Sequence, residues 1–496
     1  MGIKRNFFFS SILTTANYIF PLIIFPYISR VLGVNNIGIC NFVDSIINYF
    51  ILFSMMGLSI TGIREIAKVK KDKSILQQTF SSLFVLNLIS TSIALILLII
   101  GIYTIPQLKE HQNLMWIGAV KLVFSLFLIE WFFKGIENFK YITIRTVAVR
   151  CFFLLCVFLL VKEKDDFDVY YGLLVGTTVI NAFFNWKYLL RILKFDFSNI
   201  SISPYIKSFF VLGVYSLLTS MYTSLNVVYL GFVAGEKEVG YYTTAIKIYT
   251  ILLSLFTALS GVLLPRFSVM VAENKMLELK NLIFKSLDLL CMICFPLIVF
   301  TEFFTPQIIE YIAGNGYQGA ITPMRIVMPL MFIIGLEQIY IIQLLMPMKE
   351  DKIILRNSLI GALAGIVFNI LLVSTLKSVG SSIVWLISEL CVLFSAFLFV
   401  HRKLNIDFDW HIVYKRLLST LPYILICFLG YFFIEGNVVT LFFIGFSCVL
   451  CFFIQELFFV KTPFVINIVK SFRKGVSLRH GTHQLAQKST STYSSA

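Results

Sequence analysis

Tyr27-Ile-Ser-Arg-Val-Leu-Gly33-Val-Asn-Asn-Ile-Gly38 and Tyr229-Leu-Gly-Phe-Val-Ala-Gly235-Glu-Lys-Glu-Val-Gly240 stand 202 positions apart in one frame. Tyr27, Val31, Gly33 and Gly38 meet Tyr229, Val233, Gly235 and Gly240, and further on Arg64 meets Arg266. Ile28 and Ile37 fall opposite Leu230 and Val239 in the same register. The chain has 27 glycines, so a glycine pair alone would carry little. Seven positions in register, each set framed by an apolar span, a Gly-x4-Gly turn, a second span and an Arg, predict an internally duplicated membrane unit. The glycines are expected to form tight outer turns rather than to touch a substrate.

Around this frame the chain is 58% hydrophobic and 14% charged, with a mean hydropathy of +0.88. Soluble domains average about 25% charged residues, so most of this chain belongs in lipid and leaves no room for a soluble domain of ordinary size. Cys291/Cys294 and Cys448/Cys451 form CxxC pairs, but inside apolar runs that lack the polar surroundings of zinc or redox sites. They are read as small packing residues, and no metal or cofactor is expected. The net charge of +15 would suit nucleic acid, yet the placement of the basic residues gives it another meaning.

An apolar run of about 20 residues crosses a bilayer as a helix. That criterion predicts an all-α polytopic membrane protein with about 14 transmembrane helices. They run near 9–32, 38–61, 79–104, 114–133, 145–161, 170–190, 208–232, 239–264, 286–309, 322–346, 355–376, 380–400, 417–434 and 437–460. One alternate set of connections holds Lys4 and Arg5, the Arg64–Lys73 cluster, Lys134 to Arg150, Lys187 to Lys207, and Arg266 to Lys285. It continues through Lys349 to Arg356, Arg402 to Arg416, and Lys461 to Lys488. The other set has only Arg30, Lys109, Lys162, Lys164, Lys237 and Lys377, diluted by acids. The bias is about five to one, and positive-inside topology then puts both termini in the cytoplasm. Basic charge is topological here, and no nucleic acid partner is expected.

Lys4 and Arg5 precede the first span without a small-residue cleavage motif, so it is read as a first helix. Pro21 and Pro26 would let it bend. Four segments follow: an N-terminal six-helix bundle over 1–200, its repeat over 201–402, two added helices over 403–474, and a disordered polar tail over 475–496.

Ionisable groups inside membrane helices are costly and tend to face an aqueous cavity or a partner. Asn41, Asp44 and Asn48 share one face of the second helix, and Thr243, Lys247, Thr250 and Ser254 one face of its repeat. Asp44 aligns with Ile246, so Lys247 is one residue out of register with it. Asn17, with Ser10 and Thr14, stripes the first helix, answered by Ser216, Ser220 and Thr223 in the seventh. Four stripes, two per half, predict a polar cavity between two bundles. Lys121, Lys247, Arg325 and Arg30 would make it attractive to anions such as diphosphates or uronic acids. Glu337 and Glu389 lie well within the tenth and twelfth helices and, with Asp44, are the protonatable candidates for ion coupling. Taken singly, each of these is also what a helix–helix polar contact looks like.

Arg5-Asn6, Ser29-Arg-Val-Leu-Gly33-x4-Gly38, Gly57-Leu58 and Arg64-Glu-Ile-Ala67 resemble the opening of the polysaccharide-biosynthesis flippases, the Wzx-type O-antigen and capsule translocases. Gly240-Tyr-Tyr-Thr-Thr-Ala and Leu263-Leu-Pro-Arg-Phe-Ser268 resemble that family's second repeat. The likeness spans all the predicted helices and specifies fold better than substrate, because its motifs sit on turns and helix ends. It implies the multidrug/oligosaccharidyl-lipid/polysaccharide exporter fold: two pseudo-symmetric six-helix bundles plus two C-terminal helices. It also implies carriage of an undecaprenyl-diphosphate-linked oligosaccharide across the cytoplasmic (inner) membrane, with the polysaccharide polymerase and chain-length machinery as partners. No bond is made or broken in such a step, and no Walker pattern for ATP is found.

Two other classes fit parts of the pattern. An ion-coupled drug or metabolite antiporter of related fold would also have two repeats and buried carboxylates. A membrane polymerase or glycosyltransferase would need catalytic residues in a sizeable external loop. Asp407-Phe-Asp409 resembles a metal-binding DxD, but it lies in a short connection with no nucleotide-binding domain around it.

Overall fold

The computed structural model describes residues 3–193, 200–273, 275–404, 409–433 and 438–460, and among these every regular element is helical. Asp407 and the 475–496 tail fall outside the described residues. The first half of the chain runs through α1 (Ile3–Met55), α2 (Leu58–Val69), α3 (Lys73–Thr104), α4 (Pro106–Glu110), α5 (Gln112–Ser125), α6 (Glu130–Gly135), α7 (Phe139–Leu160) and α8 (Phe167–Ile192). The second half runs through α9 (Ser203–Thr223), α10 (Leu225–Ala234), α11 (Glu236–Ala272), α12 (Met276–Ala313), α13 (Ile321–Val327), α14 (Leu330–Glu337) and α15 (Asp351–Leu404). α14 continues as a π-helical stretch, Gln338–Leu345. Then come α16 (Trp410–Leu418), α17 (Leu421–Phe433) and α18 (Val438–Ile454).

Ten helical stretches among the described residues are long and apolar enough to cross a membrane, or eleven if the bent pair Ser203–Met221 and Leu225–Ala234 is one span. Two of the ten, Phe8–Val69 and Asp351–Lys403, have 62 and 53 residues. At 1.5 Å per residue they are about 93 and 80 Å long, against a hydrocarbon core of about 30 Å. Each must therefore hold two crossings, and each leaves helical geometry between them: at Gly33 (φ 75°, ψ 170°) and at Lys377 (φ 51°, ψ −126°). About 14 crossings are compatible with this arrangement. Pro21 and Pro26 stay inside helical backbone, and the chain leaves helical geometry at Gly33.

Gly235 (φ 84°, ψ 173°) repeats the backbone of Gly33 at the equivalent place between α10 and α11. Such angles are nearly closed to residues with a Cβ, which explains why glycine stands there in both copies. Other spans are interrupted too, α12 among them, at Phe304 (φ −108°, ψ 16°). α5 and α6 are separated at Ile129 (φ 38°), α9 and α10 bend by 51° around Ser224, and α14 passes into its π-helical stretch.

Contacts divide the chain into two compact units, Met1–Arg416 and Leu417–Ala496. In the first unit one apolar cluster runs from Ile24 on α1 to Val413 on α16. A second, aromatic one gathers Phe80, Trp131, Phe132, Phe133 and Phe209. Large apolar side chains such as Phe152, Leu159, Phe183, Ile370 and Phe394 point outward, as a lipid-facing surface requires. In the second unit α17 packs on α18 so closely that a Cβ on Gly430 would lie 2.6 Å from Ile444.

Candidate functional site

The second half of α1 and the start of α11 carry the two polar stripes, and both copies of the Gly-x4-Gly motif decide how close they come. A Cβ on Gly38 would lie 1.8 Å from the carbonyl oxygen of Glu236, and one on Gly240 would lie 2.2 Å from that of Val34. Val34 and Glu236 are themselves separated by the repeat offset, so the contact is reciprocal. In each copy, then, the first glycine makes the turn and the second lets the partner half's turn rest on bare backbone. A seal of the same kind lies at the opposite end of α1. There the Gly57 amide donates to the Phe209 carbonyl at 3.1 Å, and a Cβ on Gly213 would lie 2.7 Å from Met56 Sδ.

One turn beyond Gly38, Asn41 Nδ2 donates to Thr243 Oγ1 at 3.0 Å, across the two halves and again at the repeat offset. Asn41 Oδ1 accepts from Lys247 Nζ at 3.4 Å. On the other side of the stripe, Lys121 Nζ of α5 lies 2.6 Å from Asp44 Oδ1 and 3.0 Å from Asn48 Oδ1. Asn48 Nδ2 donates to the remaining Asp44 oxygen at 3.0 Å. Asp44 is thus balanced within its own half by Lys121. Lys247 has no such partner among the described residues; its ammonium lies 4.8 Å from the Phe25 ring centroid.

Two cavities flank this cluster. One of about 490 Å³ is lined by Asn48, Tyr49, Ser220, Ser224 and Thr243 among others, and there the Tyr49 hydroxyl donates to the Ser220 carbonyl at 2.8 Å. The other, of about 340 Å³, is lined by Phe20, Ile24, Phe25, Arg150, Phe153 and Thr177 among others. Asn41, Asp44 and Lys247 line both. Arg150 is the cavity-lining residue that the sequence did not mark out. Its charge assigns it to the basic connection opening the fifth helix, whereas α7 begins at Phe139 and carries it inward. Its presence inside an apolar run was the available signal.

The structure brings Asn41, Asp44, Asn48, Lys121, Thr243 and Lys247 together, and sets the remaining expected residues apart. Arg30 donates through Nη1 to the Pro26 carbonyl at 3.0 Å and through Nη2 to the Tyr311 carbonyl, tying α1 to the end of α12. Asn17 is exposed on the first part of α1, and Arg325 is exposed on α13, where its charge acts on Glu302 of α12. None of these three lines either cavity. Glu337 and Glu389 are buried side by side between α14 and α15, with Glu389 Oε1 accepting from Trp385 Nε1 at 2.8 Å. Each carboxyl stands in the other's field, and Glu337 Oε1 has no hydrogen-bond partner among the described residues.

Other polar features are structural. Arg145 is 4% exposed and spans Glu130 at 2.8 Å and Asn185. Arg416 grips both oxygens of Asp288, at 2.6 and 2.8 Å. Asp409, the described half of the DxD, accepts from the His411 and Ile412 amides and so caps α16.

A family model described as "Polysaccharide biosynthesis protein" matches residues 3–271, more than half of the chain. A protein of Escherichia coli (strain K12) named "Putative O-antigen transporter" is 25% identical over 408 residues, 81% of this chain and 98% of its own length. One of the same name from Shigella dysenteriae is 23% identical over 74% of this chain and 91% of its own. Among solved structures, the lipid II flippase MurJ in an inward closed conformation superposes with a TM-score of 0.75 at 16% identity, covering 92% of this chain and 99% of that one. An inward-facing multidrug resistance transporter of the MATE family gives 0.58 at 13% identity, over 77% and 97%. At these identities the solved structures speak for the fold.

Proposed function

The chain belongs to the polysaccharide biosynthesis protein family, and on that premise we propose that it is a flippase. It carries an undecaprenyl-diphosphate-linked oligosaccharide, an O-antigen or capsule repeat unit, from the cytoplasmic to the outer leaflet of the cytoplasmic membrane. The carrying observation is the pair of cavities at the contact of the two halves, polar where Asn41, Asn48, Tyr49 and Ser220 line them and holding a cation, Lys247, that is ion-paired to no carboxylate among the described residues. A sugar headgroup cannot cross hydrocarbon, but it can cross inside such a space while its lipid tail stays in the bilayer. No nucleophile is needed, and the protein is a transporter rather than an enzyme.

Residues 1–200 and 201–402 act as the two bundles of an alternating-access device, with the Gly38/Gly240 contact as the outer seal and the Gly57/Gly213 contact as the inner one. Both termini are then cytoplasmic, and the polymerase and chain-length proteins would receive the product outside. The buried Glu337–Glu389 pair is the coupling candidate; Asp44, held by Lys121, is less free to serve. Transport in proteoliposomes that ignores both pH and sodium gradients would remove the coupling role.

Removal of the chain is expected to build up lipid-linked oligosaccharide on the cytoplasmic face, restored by the native sequence and not by Lys247→Ala. A strain without such accumulation would sink the flippase role. Export of a cationic drug is disfavoured by the same unneutralised Lys247, which would repel it.

A further inference from the structure

We infer that a separate site on the first half holds an anionic membrane phospholipid, its phosphate at Lys140 and Tyr141 and its acyl chain in the groove between α7 and α8. The site is a cavity of about 550 Å³, within the range of about 300–1,000 Å³ that small-molecule sites occupy. Its walls come from α7, from Asn138 just before it, and from α8, all in the first half. It faces away from the cavity that Arg150 lines. Ala148 lines the phospholipid site, and two residues further along the helix Arg150 points about 200° away. The inference therefore stands independently of the flippase reading.

The lining is sorted by depth. At the start of α7 stand Asn138, Lys140 and Tyr141, joined by Tyr188 from near the end of α8. The Tyr141 and Tyr188 rings stack with centroids 4.1 Å apart, and Asn138 Nδ2 donates to the Tyr188 hydroxyl at 3.1 Å. From Ile144 inward, Arg145 is the one polar residue of the wall, and Ile144, Ala148, Val149 and Phe184 are apolar. Ile144 is 54% and Phe184 46% exposed, so this part opens onto the lipid-facing surface. A polar, tyrosine-belted end at the membrane edge with an apolar lane beneath it repeats the order of a lipid, headgroup and then hydrocarbon.

Charge selects the headgroup. Lys140 is exposed, and no carboxylate among the described residues pairs with it. The nearest acids along the chain are engaged elsewhere: Glu137 by Lys70 at 2.8 Å, and Glu130 by Arg145 at 2.8 Å and Lys134 at 3.5 Å. Lys187 and Arg191, exposed near the same end of α8, add to the positive field. Two donors of lining residues, the Tyr141 hydroxyl and Arg145 Nε, are shielded from water and have no acceptor among the described residues. Such orphans are uncommon, and phosphate oxygens are acceptors. The Lys70 contact sets this end beside the Arg64–Lys73 cluster, on the face that the charge bias assigns to the cytoplasm. Basic pockets between helices on that face suit anionic headgroups. One unpaired lysine in the cavity matches the single charge of a phosphodiester rather than the higher charge of a diphosphate.

The test is native mass spectrometry of the full chain titrated with dioleoyl phosphatidylglycerol or dioleoyl phosphatidylcholine. One phosphatidylglycerol per chain should bind at least about fivefold more tightly than phosphatidylcholine, the scale of one basic residue at an anionic surface. Lys140→Gln should erase that preference, and Lys140→Arg should keep it. Tyr141→Phe, which removes a hydroxyl and leaves the ring stack, should weaken binding by about two- to tenfold. Lys71→Gln, at an exposed lysine outside the cavity, should change nothing. Equal binding of the two lipids would overturn the proposal. So would a Lys71→Gln loss as large as that of Lys140→Gln, which would mean diffuse attraction to a basic face. Displacement of the lipid by inorganic phosphate would overturn it in favour of a free-anion site. Displacement by farnesyl diphosphate at lower concentration than by further phosphatidylglycerol would overturn it in favour of a polyprenyl carrier. None of these outcomes bears on whether a deletion strain accumulates lipid-linked oligosaccharide, so the two readings fail separately.

Discussion

Gly38→Ala tests the contact on which the site depends. The new Cβ would begin 1.8 Å from the Glu236 carbonyl oxygen, whereas real Cβ contacts essentially never fall under 3.0 Å. The two turns must separate by about 1.2 Å or more, and backbone cannot yield as a side-chain tip can. One turn away, the 3.0 Å bond from Asn41 to Thr243 would be stretched beyond hydrogen-bonding range. Overpacking costs about 1–3 kcal/mol and the lost bond about 0.5–1.5 kcal/mol, so the closed contact loses about 2–4 kcal/mol. If the halves separate at this end during transport, that loss shifts the population toward the separated state by about 30- to 1000-fold. Spin labels at Asn35→Cys and Lys237→Cys, both exposed beside the contact, would read the separation by double electron–electron resonance. The native chain should show one short distance, and Gly38→Ala a dominant longer one with reduced translocation. Gly33→Ala serves as the contrast, because nothing lies within 4 Å of its added Cβ and only backbone strain at φ 75° results. It should lower stability without moving the labels. A Gly38→Ala chain with native distances and native transport would refute the reciprocal contact.

Lys121→Ala should cut translocation at least about tenfold, because it leaves Asp44 unpaired in a cavity meant for an anion, and Asp44→Asn in the same chain should restore much of it. Should the double variant be as impaired as the single, Lys121 acts on the substrate directly. Arg416→Ala should destabilise the protein by about 3 kcal/mol in thermal unfolding, since it is 2% exposed and its loss strands Asp288, itself 33% exposed. The Lys70–Glu137 pair is 33% and 53% exposed, so Lys70→Ala should change stability by under about 1 kcal/mol. Lys70 holds the Glu137 carboxyl below its ordinary value by hydrogen bond and charge. That small contribution is present near neutrality and is lost as pH falls through the carboxylate range, so any Lys70→Ala effect should vanish in acid unfolding curves.

Much of this architecture is local enough to read from the chain. Hydropathy marks spans because each crossing must bury its own backbone, and the duplicated motif survives because two positions in it tolerate only glycine. Gly33 and Gly235 declare themselves by turn geometry. Gly38 and Gly240 look the same in sequence, yet their constraint comes from the partner half and appears only when the halves are docked. The expectation that both glycines of each pair form tight turns therefore applied to the first and missed the packing role of the second.

For the charges, the sequence by itself determined which residues sit at membrane depth: Asp44, Lys121, Lys247, Glu337 and Glu389 stand out because an ionisable group in an apolar run has a cost that demands a reason. Which of them meet was decided by tertiary structure alone. Helical periodicity orients side chains within one helix but says nothing of the rotation of one helix against another. Asp44 thus turned to Lys121 within its own half, Glu337 and Glu389 turned to each other, Arg30 tied down a helix end, and Arg150 entered the cavity from a segment whose start the hydropathy placed too late. Of the four cations expected at the cavity, Lys247 is the one that lines it among the described residues, and Arg150 joins it where α7 packs against α1.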